Sequence, residues 1–188
     1  MHRHLKDLLT DYAPFDSSEA ASLRQLSQFL DMSDNPYDRS NLVAHTVCDA
    51  WVVSPDREQV LLLVHGASKV WTAPGGHADG SSDILGEAWR ELHEETGIAP
   101  EQTRLLLKGG LFDISSGAVC EREKPHGLEP AHLHVDICFA FEVDPEKVTL
   151  QISNESLDLA WHPVHNILDL LMPCHRRRAV KTLQGVLS

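Results

Sequence analysis

The chain has 188 residues, enough for one domain with a real core plus a modest extension. A hydrophobic fraction of 42% and a charged fraction of 23% are those of an ordinary soluble globular protein. With 16 basic and 28 acidic side chains the formal net charge is −12, which argues against a general nucleic-acid or anionic-membrane surface and requires a cation between this protein and any phosphate it handles.

The first residues, "MHRHLKDLLTDYAPFD", carry charge throughout and lack the apolar centre of a signal peptide. No apolar run approaches the ~20 residues of a membrane span. Cys48, Cys120, Cys138 and Cys174 are far apart, with no CxxC pair, which fits a reducing, cytoplasmic setting. Residues 1–40 read as a peripheral helical extension. "MHRHLKDLLTDY" is a short amphipathic run, and "SSEAASLRQLSQFLDM" has a Ser cap followed by Ala20, Leu23, Leu26, Phe29 and Leu30 at helical spacing. "SDNPYDRSN" is a loop by composition.

The main domain is expected over 41–188. "LVAHTVCDAWVV" and "QVLLLVH" read as a hairpin around "SPDRE", and "KVWTAPGGH" ends in a glycine turn. Ser82 to about Thr96 reads as a helix closed by Gly97. "TRLLLKGGLFDI" follows as a strand region, and "SSGAVCEREKPHGLEPAH" as a long polar loop of the functional kind. "HLHVDICFAFEV" alternates, with Leu133, Val135, Ile137 and Phe139 on one face and His132, His134, Asp136 and Cys138 on the other. "LDLAWHPVHNI" is a short strand into a turn, and the C-terminal helical region is expected to break near Pro173. Strands and helices mix without a strict βαβ period, so the fold class is α/β, a mixed sheet with helices packed on it.

Within "GGHADGSSDILGEAWRELHEETGI", Glu87, Glu91, Glu94 and Glu95 crowd together, although like charges four apart weaken a helix. With Glu91 at the origin of a helical wheel, the other three fall within about 60° of it, while Leu85, Ala88, Trp89 and Leu92 fill the opposite side. One face is buried and the other presents carboxylates that raise one another's pKa unless a cation compensates them. A hard divalent ion does so with oxygen ligands, and magnesium in particular also takes substrate phosphate oxygens. The bland alternative is a solvated acidic face.

The spacing of Gly76, Arg90, Glu91, Leu92, Glu94, Glu95, Gly97 and Ile98 resembles the signature of the Nudix hydrolase superfamily, Gx5Ex7REUxEExGU, where U is a bulky aliphatic residue. One position departs: the family's first Glu falls on Ser82, and Asp79, Asp83 or Glu87 is the candidate replacement partner for Arg90. "HTVCDAWVV", "VLLLVHGASKVWTAPGGHADG" and "EPAHLHVDICFAFE" are similar to a bacterial Nudix group with an N-terminal helical extension and a GGHADG loop, a similarity covering about residues 20–165. The resemblance implies a Nudix-type α/β/α sandwich. It implies Glu91, Glu94 and Glu95 as metal ligands with the main-chain carbonyl of Gly76, and Mg2+ or Mn2+ as the metal. It implies Arg90 as the residue that orients the glutamates, and Glu91, Glu94 and Arg90 as the catalytic set. The base is one of these glutamates or a carboxylate on a distant loop, for which Glu155 is the candidate. The implied reaction is hydrolysis of a phosphoanhydride in a nucleoside diphosphate linked to another moiety, or a related pyrophosphate.

Three further residues are substrate-binding candidates. His77 follows the glycine turn, Trp71 precedes it, and His134 stands on the polar face of its strand. The same face also admits a His/Asp metal site, with Cys120 or His126 as a further ligand. His175-Arg176-Arg177-Arg178 reads as the solvated face of the last helix rather than an RNA contact. The expected partner is a small phosphoanhydride, with no nucleic acid and no membrane, and with a homodimer as one arrangement. Specificity is expected in loop 113–131 and the extension. Two rival functions remain: an isomerase of the isopentenyl-diphosphate type, which wants a reactive Cys and a Glu outside the helix, and a non-catalytic ligand sensor on the same fold.

Overall fold

The computed structural model describes residues 5–66, 68–124 and 127–188. Two N-terminal helices, α1 (Leu5–Thr10) and α2 (Ser17–Met32), precede the sheet. The long strand β1 (Ala44–Val53) turns into β2 (Gln59–His65), and two short strands follow, β3 (Trp71–Thr72) and β4 (Gly75–His77). Helix α3 (Ile84–Thr96) leads to β5 (Arg104–Leu105), β6 (Asp113–Val119) and the small hairpin of β7 (Arg122–Lys124) and β8 (Gly127–Glu129). The chain closes with β9 (His132–Glu142), β10 (Ser156–Pro163) and α4 (Pro173–Leu183). Among these residues no helix is long and apolar enough to cross a membrane.

The mixed sheet follows from the alternation in its two longest strands. β1 and β9 run parallel, with His45 opposite His134 and Val53 opposite Glu142; β1 is buried on both faces throughout, and β9 from Val135 to Phe141. From β1 the sheet continues antiparallel through β2 to β10, and from β9 antiparallel to β5 and β6. One face carries Cys48, Ala50, Val52, Val135, Ile137 and Phe139 against α1, α2 and α3. The other carries Trp51, Val53, Leu62, Cys138 and Ala140 against Ala179 of α4. This is the expected α/β/α arrangement.

The N-terminal helices belong to the core. Leu5, Leu8, Leu26 and Leu30 are buried in it, each worth about 2 kcal/mol on transfer from water. Asp16 caps α2 by accepting from the Glu19 amide at 2.7 Å. The helix then lies along the outer edge of β6, where the Glu19 carboxylate accepts from the Ile114 amide at 3.1 Å and Ser116 donates to Gln25 at 2.7 Å. An open sheet edge is thereby covered.

Three local expectations are revised. "TRLLLKGGLFDI" is not one strand. Leu106 donates to the Ala140 carbonyl and Phe112 to that of Cys138, so residues 107–111 bulge out between two pairings with β9, with Leu107 and Lys108 both at φ +52°. The polar segment after it is largely strand, because β6 pairs with β9 as far as Val119 and the rest folds into the β7–β8 hairpin. Pro173 starts α4 rather than breaking it, standing in the first turn where its missing N–H costs nothing.

The basic run is the largest revision. His175, Arg177 and Arg178 are buried, not solvated. Arg177 donates to both oxygens of Asp113 at 2.8 and 3.1 Å, Arg178 to Asp49 at 2.6 Å, and Lys181 to Glu19 and to the Phe112 carbonyl. Each cation meets a carboxylate delivered by another element, which is what makes burial of so much charge tolerable.

Candidate active site at the fork of β1

β1 has two partners on one edge. β2 pairs with Val52 and Val53, and β4 with Val47, Cys48 and Asp49. Between them the chain forks, and α3 packs beside the fork. The helix forms there because Asp83 caps its start, accepting from the Gly86 amide, and Gly97 at φ +76° ends it in a left-handed turn that a side chain resists. Ile84, Ala88 and Leu92 are buried against the sheet. The glutamates therefore turn toward β4.

Gly76 and Glu91 meet at close quarters: a Cβ on Gly76 would lie 2.2 Å from Oε1 of Glu91, so only glycine fits against that carboxylate. Glu95 is 7% exposed and its Oε2 accepts from the Gly75 amide at 2.8 Å. Burial pushes its carboxyl up to about 8, against that hydrogen bond, and burial likewise raises Glu91. Arg90 donates to Glu87 at 2.6 Å, to Oε1 of Glu91 at 2.8 Å, to Oε2 of Glu94 at 2.9 Å and to the His77 carbonyl at 3.3 Å. The replacement partner of Arg90 is thus Glu87. Asp79 is taken by Arg39, at 2.6 and 3.1 Å, and Asp83 by its cap.

Glu91, Glu94 and Glu95 together line a cavity of about 560 Å3, lined also by Arg39, Asp79, Ser153, Asn154 and Glu155. All the donors it offers an ion are hard oxygens, and two of its carboxyls are held above their ordinary range by burial, so the set fits a hard divalent cation. Glu155 comes to this cavity from the loop before β10, its carbonyl accepting from the Gly66 amide at 2.8 Å. Arg39, and its pairing with Asp79, escape a reading of the sequence because no motif joins a loop residue of the extension to the glycine turn.

The three substrate-side candidates lie elsewhere. Trp71 pairs with Val64, on the sheet face that α4 covers, with its ring edge-on to His162 at 4.3 Å between centroids. His77 pairs with Val47 on that same face, where its ring meets those of His45 and His134. Burial lowers His77 to about 3 and His134 to about 4, so both are neutral. Of the β9 residues, Asp136 sits apart from this histidine group, 3.7 Å from His175 of α4. Cys120 is exposed and joins neither group, and His126 lies outside the described residues. His45 is absent from the sequence expectations; the signal available was the repeated His-x-x-x-Asp of His45–Asp49 and His132–Asp136.

The NUDIX domain family model matches residues 44–183. The RNA pyrophosphohydrolase of Ruthia magnifica subsp. Calyptogena magnifica is 24% identical over 131 residues, 66% of this chain and 73% of that protein. A C. elegans Ap4A hydrolase in a binary complex superposes with a TM-score of 0.55 at 16% identity, covering 76% of this chain and 96% of that one. The NUDIX domain of Shewanella oneidensis NrtR complexed with ADP ribose gives 0.53 at 16% identity, covering 86% and 98%. The family's glycine, arginine and glutamates are the residues that gather at the fork of β1, and the chain belongs to the NUDIX family of pyrophosphohydrolases.

Proposed function

We propose that the chain hydrolyses, with Mg2+ or Mn2+, a phosphoanhydride in a nucleoside diphosphate linked to another moiety, or a related pyrophosphate, at the fork of β1. The observation that carries this reading is that the carboxylate residues Glu91, Glu94 and Glu95 line one cavity, with Glu91 against Gly76. Those three glutamates and the Gly76 carbonyl would hold the metal. A bound divalent ion supplies neutralisation of the anhydride oxygens and a water of lowered pKa. Arg90 is the positioning residue, holding Glu91 and Glu94 by charge-assisted bonds. Glu155, across the cavity, accepts the proton of the attacking water as general base. Arg39 offers a cation to the phosphate chain at the cavity mouth, in exchange for Asp79.

The curated relative and one structural neighbour are, by name, an RNA pyrophosphohydrolase and an Ap4A hydrolase, both of which open a phosphoanhydride. The isomerase alternative is disfavoured by Cys48, which stands opposite Gly76 in the β1–β4 ladder. Cys48 is fully buried and burial raises its thiol well above its ordinary range, so no thiolate is at hand. The test is phosphate release with Mg2+ or Mn2+ across nucleotide sugars, dinucleoside polyphosphates, ADP-ribose, NADH, nucleoside triphosphates and 5′-triphosphorylated RNA, with Glu94→Gln alongside. Metal-dependent turnover of one class, reduced about 1000-fold in Glu94→Gln, is the expected result. A folded, metal-binding protein inert to the whole panel would favour the ligand-sensor reading.

A further inference from the structure

We propose that His45, His77 and His134 form a transition-metal site, with zinc as the ion its donors fit best, on the sheet face opposite α3. The proposal does not rest on the hydrolase reading, because none of the three lines the carboxylate cavity.

The three residues come from three neighbouring strands. His45 lies directly across from His134 in the β1–β9 ladder, and His77 pairs beside them on β4. One nitrogen from each ring lies within 4.8 Å of the others. His45 carries the argument. It is 3% exposed, and its Nδ1 lies 3.1 Å from the Asn41 carbonyl, which places the ring proton on Nδ1 and the lone pair on Nε2. That Nε2 is buried with no hydrogen-bond partner. A buried acceptor left in that state is costly, and a ring fixed by a carbonyl at one nitrogen with its lone pair free at the other is how metal-ligating histidines are held.

His132 repeats the pattern. Its Nδ1 lies 2.8 Å from the Pro130 carbonyl, and its Nε2 lies 3.2 Å from Nε2 of His134. With zinc–nitrogen bonds of 2.0–2.1 Å, two ligands of a tetrahedral site stand about 3.3 Å apart. His132 accepts from His134 at that nitrogen and stands beside the three-histidine set rather than in it. Closing the three rings from the present spread to that edge takes movements of roughly an ångström. A set made only of imidazoles suits zinc, nickel or copper and is a poor site for magnesium, so the two centres separate by donor chemistry.

The test uses the full chain. Cobalt is added as a spectroscopic stand-in for zinc, and the zinc retained after dialysis is measured. We expect one zinc per chain and visible cobalt bands of a tetrahedral nitrogen site. Both persist in Glu94→Gln and are lost in His134→Gln and in His77→Gln. Should those variants fail to fold, 15N spectra of the wild-type imidazoles decide, since zinc must move Nε2 of His45. Failure of the wild type to retain zinc, cobalt bands untouched by either histidine change, or imidazole resonances indifferent to zinc would overturn the proposal.

Discussion

Replacing Gly76 with alanine separates catalysis from folding at the fork. The new Cβ would lie 2.2, 2.4 and 2.8 Å from Oε1, Cδ and Oε2 of Glu91, and contacts below 3.0 Å do not persist. The carboxylate therefore retreats by about 1 Å, which its flexible side chain permits. The fold loses part of the Arg90–Glu91 bond, about 1 kcal/mol, and regains a comparable amount because alanine has fewer unfolded conformations than glycine. Stability should stay within about 1 kcal/mol of wild type, read by urea denaturation. Turnover should fall about 100-fold, since an ångström is enough to misplace a reacting group. Gly117→Ala is the control, because its Cβ meets nothing within 4 Å, and it should leave both quantities alone. Wild-type turnover in a folded Gly76→Ala protein would refute the placement of Glu91 at the metal.

Three other outcomes are expected. In chelator-treated protein, Glu95 has a folded pKa of about 8 against an ordinary 4.5, so its contribution to stability is intact below about pH 4.5 and lost as pH rises toward 8. Glu95→Gln should then match wild type near pH 4.5 and exceed it by about 4 kcal/mol at pH 8 in denaturant unfolding; a difference independent of pH would contradict this. Glu155→Gln should lower kcat about 100-fold with little change in KM, and an unchanged kcat would remove Glu155 as the base. Lys181→Met leaves Glu19 and Asp113 short of a buried cation and should cost about 3 kcal/mol in thermal or urea unfolding; a loss below about 0.5 kcal/mol would show that Arg177 alone suffices.

Helix α3 was legible because its information is local. The 3.6-residue period separates Ala88 and Leu92 from Glu91 and Glu94, and Gly97 marks its end. β9 was legible for the same reason, with a period of two. What stayed hidden depends on which strand lies beside which. His45 meets His134 only through the β1–β9 register, and Arg39 reaches Asp79 across 40 positions. The basic run misleads most, since composition alone makes four adjacent basic residues a solvated face. Its burial is decided by Asp49, Asp113 and Glu19, which no sequence window contains together with Arg177 and Arg178.

The ion pairs beneath α4 also bear on how the protein is made. Synthesis delivers Glu19, Asp49 and Asp113 long before Arg177, Arg178 and Lys181, which lie in the last helix. Until that helix leaves the ribosome, the nascent sheet holds carboxylates bound for its interior with no cation to meet them. Closure of that sheet face therefore waits for α4. Emergence of this helix, rather than completion of the strands, is the event that pairs those carboxylates, and a stalled chain lacking α4 would wait with the face open to chaperones.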